Sequence, residues 1–191
     1  MKFFTMDYDE LNRDSKENGV PSPFERYTRH LESLKDVLST EVLALAQIQG
    51  IDDGLIVRVK HNRAKALLTL VLRCGNFQMG YYDLILTYIG AKLLPRDERV
   101  LAHAARTTRD YSRLIFDIEY HELDWIEGGI EHRLLFHEHI WFTIRCRALH
   151  WKTISRPNQK LPHSWNRFPG ARHASNPERR KFARWIQGHN R

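Results

Sequence analysis

Eleven histidines occur in the 191 residues, and several fall where a metal could use them. His121-Glu122, His132 and His137-Glu138-His139 form the densest group. Imidazoles two apart on a strand point to the same face, so His137 and His139 could hold one metal with His132 as third ligand. The spacing HxxxxHxH matches no closed zinc template, and the helical HExxH pattern is absent. The competing reading is a His-rich sheet face, solvated or partly packed. Carboxylates crowd the same stretch: Asp117, Glu119, Glu122, Asp124, Glu127, Glu131 and Glu138. Such a cluster can bind a cation, serve acid–base chemistry or meet a basic partner. Cys74 and Cys146 stand in no nucleophile signature, and alternation turns Cys146 inward with Ile144, so both read as small buried hydrophobes. GxSxG, GxGxxG and GxxxxGK[ST] are all missing, which leaves acyl transfer and nucleotide binding without a motif. No cofactor is implied.

Two other stretches carry recognition chemistry. Gly75 and Gly80 bracket Phe77, Gln78 and Met79, and Tyr81, Tyr82 and Asp83 follow. Aromatic and amide side chains on a loop make a good contact surface, while a plain hairpin with packed tyrosines explains the same residues. Near the C-terminus, Asn176-Pro177-Glu178 opens and Gly188 closes a short helix signature. Phe182, Trp185 and Ile186 form its apolar stripe, and Arg179, Arg180, Lys181 and Arg184 its charge. A helix of this kind docks on a partner, on its own domain, on anionic lipid or on nucleic acid.

The elements that must position these residues can be read from periodicity. Ser22, Pro23 and Glu25 have capping-box spacing, and Tyr27, Leu31, Leu34 and Leu38 continue a helix to about Ser39. Val42 to Ile48 reads as a second short helix. After Gly50 the period changes to two. Strands are expected at 55–61, 66–73, 81–88, 114–123, 130–136, 139–147 and 149–154, with a helix from Pro95 to about Arg106. Short connections between successive strands indicate antiparallel pairing. The expected class is therefore α+β: one mainly antiparallel sheet of about six to seven strands, an N-terminal helix and a short mid-chain helix. Residues 1–157 form the domain, and 158–191 a basic C-terminal extension with a short helix.

Charge divides along the same boundary. The chain carries +7 formally, with 30 Lys and Arg against 23 Asp and Glu. Residues 156–191 hold nine of those cations against Glu178 alone, so the remainder is close to neutral. Hydrophobic residues at 42% and charged residues at 28% support a packed core. The opening MKFFTMDYDELNRD lacks the apolar run of a secretory signal, and no apolar stretch is long enough to span a membrane. Two isolated cysteines suit a reducing, cytoplasmic setting.

Residues 1 to about 157 resemble a family of uncharacterised bacterial proteins known only as a domain of unknown function. The likeness rests on Met1-Lys2-Phe3-Phe4-Thr5, Gly54-Leu55-Ile56, Leu72-Arg73-Cys74-Gly75 and Gly80-Tyr81-Tyr82-Asp83-Leu84. It continues through Gly90-Ala91, Glu131-His132-Arg133-Leu134-Leu135-Phe136 and the segment from Phe142 to Leu149. Such families often carry a His-Asp pair entering the first strand; Asp52-Asp53 stands there instead, so no role is transferred for that histidine. Some relatives of this kind are suspected toxin-immunity proteins. The resemblance therefore implies a non-enzymatic protein-binding module that occludes a cognate bacterial toxin. Read from residue types and spacing and not from the resemblance, the contact residues of such a module would be Phe77, Gln78, Tyr81, Tyr82, Asp83, Glu119, Glu122, Asp124 and Glu138, with Arg180, Lys181, Arg184 and Trp185 of the tail, which has no counterpart in that family. A nucleic-acid-associated protein using the tail, and a metalloprotein built on His132, His137 and His139, are the two alternatives.

Overall fold

A computed structural model describes residues 2–4, 15, 17–48, 51, 54–76, 80–107, 118–136 and 140–156. Helix α1 spans Pro23–Ser33 and begins as the capping box requires. The Ser22 hydroxyl accepts from Glu25 N at 3.2 Å, and the Glu25 carboxylate accepts from Ser22 N at 2.7 Å. The helix stops six residues before Ser39 because Ser39 caps the next one. As N-cap of α2 (Thr40–Leu45), Ser39 takes an extended backbone and cannot belong to a preceding helix. Leu34 and Leu38 remain buried although they lie in the intervening turns.

Strand β1 (Leu55–Asn62) leads through a 3-10 turn at Arg63–Lys65 into β2 (Leu67–Asn76) and then β3 (Gly80–Ile89). Helix α3 (Pro95–Thr107) follows, then β4 (Ile118–Ile126), β5 (Gly129–Phe136), β6 (Ile140–Cys146) and β7 (Ala148–Ser155). All pairings are antiparallel, as expected from the short connections. The seven strands among the described residues do not lie in one sheet. They form a four-stranded sheet ordered β1-β2-β3-β7, hereafter sheet A, and a three-stranded sheet ordered β4-β5-β6, sheet B.

The chain passes from sheet B to sheet A at Arg147, whose N–H donates to Ile89 O at 2.8 Å. Two further links join the sheets. Lys92 and Arg145 exchange backbone hydrogen bonds of 2.7 and 3.1 Å, and Ile118 N donates to Gly54 O at 2.8 Å. The core lies between the sheets. Leu68, Leu70, Leu72, Leu84, Leu86 and Tyr88 face Leu134, Phe142 and Ile144, with Val42, Leu45, Val100, Leu101 and Ala104 supplied by the helices. Cys74 and Cys146 are buried thiols of this core.

Edges are blunted by local devices. Register shifts interrupt β1 between Ile56 and Arg58 and β4 between Ile118 and Tyr120. On β7 the Glu41 carboxylate accepts from Trp151 N at 3.3 Å, and Trp151 Nε1 donates to Glu41 O at 2.6 Å. At the other end of the sheet β2 and β3 approach so closely that Gly75 has no room for a side chain. Its φ is +93°, and a Cβ there would lie 2.1 Å from Gly80 O. Gly75→Ala is expected to lose about 2 kcal/mol from combined strain and clash, read as a lower urea midpoint at unchanged slope.

Candidate functional site

The acidic stretch lies on the face of sheet B that points away from the core. Pairing sets Glu122 opposite Arg133, Asp124 opposite Glu131, and Glu131 opposite Arg145. The Arg133 guanidinium reaches Glu122 Oε2 at 3.2 Å and Asp124 Oδ2 at 3.3 Å, and it also pairs with Glu131. Arg145 Nε adds a 2.7 Å bond to Glu131. Residues Lys2, Phe3 and Phe4 close over this network. Their three backbone N–H groups converge on the Glu122 carboxylate at 2.7–3.0 Å. Phe4 stacks on Tyr120 with ring centroids 4.8 Å apart and meets Tyr27 edge-on. From α1, Tyr27 OH accepts from Leu123 N at 2.7 Å, and His30 Nε2 lies 2.9 Å from Asp124 Oδ1.

Glu122 is fully buried, and Asp124 and Glu131 nearly so. Burial opposes the charge of Asp124, but Lys2, His30 and Arg133 outweigh it and hold the carboxyl below its usual range. Burial likewise disfavours the Arg133 cation, and the pull of Glu131 and Glu122 reverses that. The expectation that Glu122 and Asp124 form a solvent-facing contact surface is therefore corrected. Both hold the N-terminal residues and α1 against sheet B, because that outer face is covered rather than open.

A second polar chain crosses the core. Tyr88 OH lies 2.8 Å from His132 Nδ1, and His132 Nε2 lies 3.2 Å from His121 Nδ1. Both rings are buried. Desolvation lowers His121 to about 4, against a weaker opposing pull from Glu122, and drives His132 well below its ordinary value. Burial also raises the Tyr88 hydroxyl, and pushes the Cys146 thiol up to about 12. All four side chains are thus neutral near pH 7. With both nitrogens of His132 engaged, no lone pair points to an open site. Among the described residues no group of three or more His, Cys, Asp or Glu is placed to hold a metal ion. His137 and His139 lie outside the described residues.

Tyr81, Tyr82 and Asp83 sit at the start of β3. Asp83 is buried between two arginines: Arg73 Nε binds Oδ1, and Arg156 Nε binds Oδ2 at 2.9 Å. Its burial favours the neutral acid, but these two bonds dominate and lower its pKa. Tyr82 turns toward the core, whereas Tyr81 shares the opposite face with Asp83. Glu119 is half-buried on β4. Phe77, Gln78, Glu138, Arg180, Lys181, Arg184 and Trp185 lie outside the described residues. A cleft of about 640 Å³ between β1 and α3 is lined by Val59, Leu93, Leu101 and Glu98, and Arg63 binds Glu98 across its mouth at 2.7 Å.

Sequence reasoning missed Arg133, the Lys2–Phe4 backbone and Tyr88. One signal was present: Arg133 is a cation inside a strand of otherwise buried type, a place where an unpaired charge is not tolerated. Its partners on β4 needed the register. No protein family, no curated protein and no solved structure matches this chain.

Proposed function

We propose that this protein is a non-enzymatic protein-binding module, of the kind that neutralises a bacterial toxin by occluding it. One observation supports this reading most. Among the described residues, the buried groups able to do chemistry are held in forms that do none: His121 and His132 are neutral and desolvated, Cys146 is a buried thiol, and Glu122, Asp124 and Glu131 are saturated by Arg133 and backbone N–H groups. A catalyst needs a base or nucleophile that reaches its substrate. Protein binding is also the role expected from the resemblance read in the sequence of residues 1 to about 157.

The test is retention of a partner by the full chain from its own host's lysate after nuclease treatment. One protein held in stoichiometric amount through a high-salt wash is the expected result, and a growth-rescue assay with that protein then tests neutralisation. If binding disappears with digested nucleic acid, the protein-binding reading is wrong and the basic segment from Arg156 becomes the functional element.

A further inference from the structure

Sheet A has an outer face whose composition differs from everything the other faces carry. Strand alternation places Leu68, Leu70, Leu72, Leu84, Leu86, Tyr88 and Leu149 in the core. Their neighbours must point outward. Register aligns these into rows across the four strands. Lys60, Thr69, Thr87 and His150 form one row, and Arg58, Val71, Ile85 and Lys152 the next. Arg73, Asp83 and Ile154 form a third. The central Thr69, Val71, Ile85 and Thr87 are only half-buried, Ile154 is 39% exposed, and Arg58, Lys60 and Lys152 are exposed. A second layer packed on this face would bury the middle positions. Among the described residues, Arg58, Lys60 and Lys152 stand on this face beside the Asp83 carboxylate that Arg73 and Arg156 bind, and the Glu41 carboxylate meets His150 at the β7 edge, 3.2 Å away.

We infer that this face docks a protein partner whose contact surface is flat and acidic. The inference rests on the protein-binding reading above and names the surface and the partner's chemistry. The centre is β-branched and apolar or hydroxyl-bearing, and the exposed cations Arg58, Lys60 and Lys152 stand on the edge strands. That is the arrangement of a protein interface, with a desolvated middle and a charged rim. Charge complementarity then selects carboxylates on the partner. A nucleic acid fits less well. Sheets that read single strands place aromatic rings at central positions for base stacking. Here those positions hold Thr69, Val71, Ile85 and Thr87, and Tyr81 lies at the end of the face.

The experiment uses the full chain and the partner identified by co-purification. Arg58→Glu combined with Lys152→Glu reverses one exposed charge on each edge strand. Arg26→Glu combined with Lys35→Glu makes the same charge change on exposed positions of α1 and the turn after it. Unchanged circular dichroism and melting temperature establish that both variants fold. Affinity for the partner is expected to fall at least about tenfold in the sheet variant, most at low salt, and to stay within about twofold in the α1 variant. Equal affinity of wild type and sheet variant overturns the docking surface and leaves the protein-binding reading standing. Absence of any protein partner for the wild type overturns both. A single-stranded DNA of about 20 nucleotides serves as the remaining probe. If the wild type binds it and the sheet variant does not, the face belongs to nucleic acid and the inference is wrong.

Discussion

Arg133→Ala is expected to remove about 4 kcal/mol of folding free energy, the largest effect of any single substitution considered. One guanidinium compensates Glu122, Asp124 and Glu131, which are all buried. Truncation leaves that negative charge desolvated with only backbone N–H groups, Lys2, His30 and Arg145 beside it. The carboxylates would then take up protons or admit water, and Lys2–Phe4 would detach. In a domain of this size the loss corresponds to a fall of roughly 10 °C in Tm. Arg133→Lys should recover only part of it, because one ammonium cannot span carboxylates on two strands as the forked guanidinium does. Calorimetry decides the matter: a loss below about 1 kcal/mol would mean the network is no stronger than a surface ion pair.

Stability should also fall as pH drops from about 6.5 toward 4, before most carboxylates titrate. In the unfolded chain His121 and His132 bind protons near the ordinary histidine value. In the folded chain burial holds His121 at about 4 and His132 well below normal. Between those limits the unfolded state binds more protons, so stability is fully present above the unfolded value and declines below it. For His121 alone this amounts to about 2 kcal/mol between pH 6.5 and 4.5. Asp83 and Asp124 have the opposite origin, since their folded values are lowered by arginine, histidine and lysine partners. Their contribution fades only as pH falls through the carboxylate range. His121→Leu should flatten the upper window while lowering stability at neutral pH, because His132 Nε2 loses its partner. Denaturant midpoints measured between pH 7.5 and 4.5 test this. A wild-type midpoint independent of pH there would show that the imidazoles meet water.

The elements were largely written in the chain. Ser22, Pro23 and Glu25 specify the start of α1, and two-residue alternation through Leu68, Leu70 and Leu72 specifies β2 and its buried face. These signals are local, arising within one turn of helix or a few residues of strand. Ser39 could have shown that α1 ends early, since a residue that caps one helix cannot extend another.

The sites were not legible in the same way. His132 and His137–His139 look alike as sequence, yet only register reveals that His132 faces Tyr88 across the core. Acidic residues between 117 and 138 suggested an open negative surface. The structure instead covers Glu122 and Asp124 with Phe3, Phe4 and α1, contacts separated by about a hundred residues along the chain.

Charge shows the division most clearly. By itself the sequence determined an α+β chain of about six to seven antiparallel strands with a near-neutral body and a basic end. Tertiary structure decided where the body's charges go, with Glu122, Asp124 and Glu131 paired to Arg133 beneath the N-terminal residues on sheet B, and Arg58, Lys60 and Lys152 exposed on the outer face of sheet A. Alternation tells which residues share a face, but which face is covered depends on elements that arrive from elsewhere in the chain.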